Sequence, residues 1–183
     1  MRADAVRNRE SLVSAARSAF LEHGCDAPLD DVAKRAGVGA GTLYRHFPTR
    51  NDLLAAVYVD DIQTLCDDIE RLGETLDPEG ALVAYLDLQV EYGLRKIGLQ
   101  RAIREVLDDQ SKVATFSLCK SQMMKAVDVL VERAREAGVV RTDVDAQTLV
   151  KLLHGIATAC DQTPDMAPAM VAVVRDGLLQ PKA

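Results

Sequence analysis

The chain has 183 residues, of which 48% are hydrophobic, with only 11 Gly and 6 Pro scattered along it. That is enough for a substantial core, in one large domain or in a small domain fused to a larger one. No run approaches the roughly 18 apolar residues of a membrane span. The polar start (Arg2, Asp4, Arg7, Asn8, Arg9, Glu10) precedes no apolar signal core, so a cytoplasmic protein without a membrane partner is expected.

A net charge of −6 argues at first against a nucleic-acid partner. Its distribution permits one: residues 1–52 carry eight basic and seven acidic side chains, and the remainder 14 and 21. An acidic body can still bind DNA through a local cationic face. Helix formers dominate and alternating β-branched runs are missing, which predicts an all-α fold. Cys25, Cys66, Cys119 and Cys160 lie tens of residues apart, with neither zinc-site nor redox-motif spacing, and read as reduced core thiols. Three scattered histidines make no metal set, and no metal or cofactor is expected.

In chain order, Leu12, Ala16, Ala19 and Phe20 mark a first amphipathic helix that Gly24 ends. Leu29, Val32, Ala33 and Ala36 mark a second, with Pro28 in its first turn and Asp30 and Asp31 at the positive end of its dipole. Gly37 supplies a sharp turn. A third helix, about residues 39–47, points Leu43 and Phe47 into the core shared with Phe20 and Val32, and leaves Thr42, Tyr44, Arg45 and His46 mostly outward. Pro48 stops it. Thr49 and Asp52 match a capping box that opens a long fourth helix to about residue 72.

A break at 73–78 separates a fifth helix (about 79–96), apolar on nearly every side and so expected in the middle of a bundle. A short helix at about 99–109 follows. Phe116, Cys119, Met123, Val127, Leu130 and Ala134 mark a seventh helix that Gly138 stops. An eighth (about 145–160) and a ninth (about 165–179) complete the chain. No internal repeat or linker appears.

Two short helices about a glycine turn form a helix-turn-helix, whose second helix can enter the major groove of DNA. The segments Val32-Ala-Lys-Arg-Ala-Gly-Val38, Gly41-Thr-Leu-Tyr-Arg-His-Phe-Pro48 and Arg50-Asn-Asp-Leu-Leu54 resemble the signature of the tetracycline-repressor (TetR) family of bacterial transcription regulators. The resemblance covers about residues 6–54. It departs at Pro28 and Gly39, where that family commonly has Ser or Thr.

The resemblance implies an N-terminal three-helix DNA-binding domain (1–54), joined by a long helix to a C-terminal ligand-binding and dimerisation bundle (55–183), about nine helices in all. On this reading Gly39, Gly41, Thr42, Tyr44, Arg45, His46, Thr49 and Arg50 form the DNA-binding set. Arg45 and Thr42 can reach base edges. Tyr44, His46, Thr49 and Arg50 are placed to grip phosphates, and Arg2, Arg7 and Arg9 to trail as a basic arm.

The resemblance further implies a homodimer on a palindromic double-stranded operator. The helices near 145–160 and 165–179 are its expected interface, through Ala157, Ala159, Ala167, Ala169, Val171 and Val174. A small-molecule effector is implied in the C-terminal bundle, with Tyr85, Gln89, Tyr92, Phe116, Met123 and His154 as candidate contacts. The alternative is a regulator of the same fold that works without a small effector. An enzyme built on Cys119 or Cys160 with His154 lacks any strained-turn motif around the nucleophile, so no catalytic residue is expected.

Overall fold

The structure is a computed structural model that describes the backbone of residues 2–24, 26–107 and 110–180, and the side chains of 4–24, 26–96 and 116–180. Cys25 lies outside the described residues, as does the Arg2 side chain. Eight α-helices and one short 3-10 turn account for the described architecture: α1 Arg2–His23, α2 Leu29–Arg35, α3 Ala40–His46, α4 Arg50–Thr75, α5 Pro78–Leu107, α6 Gln110–Glu136, α7 Ala146–Ala159, the 3-10 turn Pro164–Met166, and α8 Ala167–Leu178.

The all-α expectation holds, and two details of the helix plan change. The separate helix at 99–109 does not exist on its own, because α5 runs through to Leu107. A helix-interior glycine such as Gly98 costs only about 1 kcal/mol, and no proline or capping residue joins it to force a stop. At the other end, α1 starts at Arg2, so Arg7 and Arg9 are helical rather than a trailing arm. Arg7 is paired with Asp4 at 2.6 Å, and the Arg9 guanidinium sits 5.6 Å from the Phe47 ring centroid.

The chain divides into two compact units, Met1–Ile62 with Gly98–Ser117, and Gln63–Ile97 with Leu118–Ala183. The first unit thus runs past residue 54 and takes in a distant piece of chain. Its core gathers Leu12, Ala16 and Phe20 of α1, Val32 of α2, Leu43 and Phe47 at α3, Leu53, Leu54 and Val57 of α4, and Phe116. Phe116 meets Tyr58 edge-on, with centroids 5.0 Å apart. Gly24 (φ 74°) and Gly37 (φ 70°) turn the chain out of α1 and α2 in the left-handed region, where a side chain would add strain. On the surface of this unit Arg17 of α1 reaches α4, donating from Nε to Asp61 Oδ1 at 2.7 Å and from Nη2 to Asp60.

In the second unit Leu82, Tyr85, Leu86 and Val90 of α5 are buried, together with Val127, Leu130 and Ala134 of α6 and Leu149 and Leu153 of α7. α5 is not enclosed all round as its composition suggested: Asp87, Glu91 and Arg95, at i, i+4 and i+8, form an exposed strip. Its other side approaches α7 closely, since a Cβ placed on Gly93 would lie 2.6 Å from the Ala157 Cβ. Arg133 of α6 donates to the Gly73 carbonyl near the end of α4. The α6–α7 connection is fixed by Gly138 (φ 69°), by a bridge between Val140 and Leu179, and by Asp145, whose side chain accepts the Thr148 N–H at 2.6 Å and caps α7.

Candidate nucleic-acid interface and cavities

α3 is seven residues long, about 10 Å of helix at 1.5 Å per residue, which suits a major groove about 12 Å wide. Its inward face is fixed by Leu43, 1% exposed, and by Phe47 just beyond it, 3% exposed. With those two anchored, helical spacing forces Tyr44 and Arg45 outward, and both are exposed, while Thr42 and His46 are half-buried on its flanks. The His46 ring leans on Phe47 with centroids 6.3 Å apart. Gly39 and Gly41 are exposed, and an added Cβ at either would meet nothing within 4 Å.

Thr49 and Arg50 serve the framework. The Thr49 backbone N–H and hydroxyl donate to Asp52 Oδ2 at 2.9 and 2.7 Å, and the Asp52 N–H returns to the Thr49 hydroxyl at 3.1 Å, which completes the capping box. Arg50 Nη1 donates to the Ala27 carbonyl at 2.7 Å. Together they fix where α4 starts relative to the entrance of α2, and hence the angle at which α3 is presented.

The six candidate effector residues separate into three groups. Tyr85, Gln89 and Tyr92 share one face of α5, with Tyr85 and Gln89 buried. The Tyr85 hydroxyl donates to Gln89 Oε1 at 3.4 Å, and burial pushes its pKa up. One turn beyond Tyr92 comes Lys96, only 7% exposed, with its ammonium 5.7 Å from the Tyr92 ring centroid. Phe116 stands apart, in the core of the first unit. Met123 and His154 come together on a cavity of about 520 Å³ between α6 and α7, with Lys120, Met124 and Lys151 beside them.

The two lysines escaped notice in the sequence, because an exposed Lys at helical spacing looks the same whether it rims a cavity or a solvated face. A second cavity of about 490 Å³ lies between α4 and α6 and involves Cys66, Glu70, Lys125 and Arg133. Burial raises the pKa of the Cys66 and Cys119 thiols, which keeps both protonated and unreactive.

The expected interface residues also divide. Ala157, Ala167 and Val171 are buried within their own chain, whereas Ala159 and Ala169 are exposed. A different set of large apolar groups is left outward: Leu152 (49% exposed) on α7, and Met166 (56%), Met170 (36%) and Val173 (74%) at and along α8. The spacing 166, 170, 173 was a legible signal for this stripe, masked by the equally periodic buried set on the same helix. Among the described residues no helix is long and apolar enough to cross a membrane, and no three metal-ligating side chains gather.

Residues 12–57 match a family described as bacterial regulatory proteins of the tetR family. Residues 77–180 match the C-terminal domain described as transcriptional regulator SbtR-like. A TetR transcriptional regulator from Streptomyces coelicolor is 34% identical in sequence and superposes with a TM-score of 0.78 over 96% of this chain and 99% of that one. A TetR regulatory protein from Mycobacterium vanbaalenii is 31% identical, with a TM-score of 0.75 over 98% and 99%. An HTH-type transcriptional regulator of Staphylococcus aureus is 28% identical over 112 residues, which are 61% of this chain and 54% of that protein. This chain therefore spans about half the length of that relative.

Proposed function

Because the chain belongs to the TetR family of bacterial transcriptional regulators, we propose that it is a homodimeric repressor that reads a palindromic operator through α3 and leaves it when a small molecule binds the C-terminal unit. The observation that carries the reading is the orientation of α3. Leu43 and Phe47 are locked in the core, which aims Tyr44 and Arg45 at solvent with Thr42 and His46 on the flanks. Arg45 is suited to the acceptor edge of guanine and Thr42 to a base edge or a thymine methyl. Tyr44 and His46 contact phosphates that hold the register. Arg50 and Thr49 act mainly by holding α3 at its angle.

One α3 offers a small footprint, and two related by a twofold axis would read half-sites about 34–36 Å apart. The exposed stripe of Leu152, Met166, Met170 and Val173 favours such a pair. Large apolar groups aligned on neighbouring helices are costly to leave in water and self-complementary across a twofold. Effector control is a population shift: moving a dimer from 99:1 to 1:99 between two spacings takes about 5.5 kcal/mol of differential affinity.

Selection of duplexes from random DNA tests the reading. An inverted repeat with one helical turn, or a multiple, between half-site centres is expected, and Arg45→Ala should lose about tenfold or more in affinity at that site. Recovery of no enriched sequence, or of a single unpaired half-site, would overturn it.

A further inference from the structure

The 520 Å³ cavity between α6 and α7 has a neighbouring cavity that shares Asp128 and Asp145 with it. Where α6 contributes 128–135, α7 contributes 145–146. Where α6 contributes 120–128, α7 contributes 145–154. The two helices therefore run antiparallel, with Lys120 at the His154 end and Asp128 at the Asp145 end. One end of the cavity holds Lys120, Lys151 and His154, all with exposed heads. Between the ends lie Met123, Met124 and Val150. Asp145 at the far end is already engaged at the Thr148 N–H.

We propose that this cavity binds an amphipathic organic monoanion, its carboxylate or sulfonate head at Lys120, Lys151 and His154 and its hydrocarbon body across Met123, Met124 and Val150. The inference rests on the reading of the C-terminal unit as a sensor and adds where the ligand sits and what it is. Two lysines and a histidine lining one end of a partly enclosed site favour an anion, and charge-assisted hydrogen bonds are the strong kind. Methionine side chains adapt to bodies of different shape, and a cavity of 520 Å³ falls in the range that holds small organic molecules. Asp128 and Asp145 set the sign at the other end: they repel a second anionic group, so a monoanion is preferred over a dianion.

The competing places are less suited. In the α4–α6 cavity Glu70 and Glu74 stand against Lys125 and Arg133, and Arg133 is spent on the Gly73 carbonyl. On α5 Tyr85 and Gln89 are buried, and the Tyr85 hydroxyl is already engaged at Gln89 Oε1.

Calorimetry on the full chain with naphthylacetate, naphthylethanol, naphthylethylamine and naphthalenedicarboxylate separates the possibilities by head group alone. Naphthylacetate is expected to bind at least about tenfold more tightly than the alcohol, with the amine and the diacid weaker still. In Lys120→Met/His154→Leu that preference should vanish, while Lys125→Met, in the other cavity, should keep it. These are surface positions, and in the unaltered protein the methyl resonances of Met123 and Met124 provide a second readout, expected to shift on addition of naphthylacetate.

Equal affinity for acid and alcohol, a preference that survives the double substitution or is lost in Lys125→Met, or shifts confined to Met166 and Met170 would overturn the assignment. Operator affinity in the same samples keeps the two claims apart. Binding in this cavity without release of DNA supports the assignment and removes effector control. Release by another ligand with no binding of naphthylacetate does the reverse.

Discussion

At Gly93 α5 comes close to Ala157 of α7, and a single methyl group there gives a sharp test of the packing. The added Cβ would stand 2.6 Å from the Ala157 Cβ, against an optimum of about 3.5–4.0 Å between carbons. Both Cβ atoms are bonded directly to helix backbones and cannot swing aside, so the helices must separate by about 1 Å or more to relieve the overlap. Overpacking of this kind costs about 1–3 kcal/mol, while replacing a helical glycine with alanine returns about 1 kcal/mol. Gly93→Ala should therefore lower stability by about 1 kcal/mol, although propensity alone would raise it.

In an Ala157→Gly background the overlap is gone and only the propensity gain and the filled space remain. There the same substitution should stabilise by about 1 kcal/mol or more. Urea unfolding at one fixed protomer concentration measures all four corners of this cycle. A Gly93→Ala effect of the same sign in both backgrounds would show that contact with Ala157 is not what demands the glycine.

Three further outcomes follow from the same packing and electrostatics. Thr49→Ala removes both hydroxyl contacts of the capping box and should cost about 0.5–2 kcal/mol in urea unfolding, with Thr49→Ser restoring most of it. Val173→Glu puts a charge on the most exposed apolar residue of α8 and should shift sedimentation mass from two chains to one while leaving the helical circular dichroism unchanged. The Asp145 carboxyl, held below the usual aspartate range by the Thr148 backbone N–H, contributes stability that is present above about pH 4 and lost as the pH falls through its lower folded value. Asp145→Asn should therefore flatten the fall in melting temperature below about pH 4, and parallel curves for the two proteins would contradict that assignment.

The reading head was legible in the sequence because its constraints are local. Gly24 and Gly37 stand where backbones turn left-handed, Thr49 and Asp52 sit at capping-box spacing, and a seven-residue helix with Leu43 and Phe47 four apart has one possible inward face. The rest of the chain is governed by contacts between distant segments, which leave no periodic trace. Phe116 looked like a pocket residue because it is a large aromatic on an apolar helix, yet it packs against Tyr58 in the first unit. The pattern suggested one helix to about 96 and another from about 99, yet Gly98, with neither proline nor cap beside it, lets α5 continue. On α8 two apolar sets overlap at helical spacing, and only burial tells Val171, covered by its own chain, from Val173, left outward.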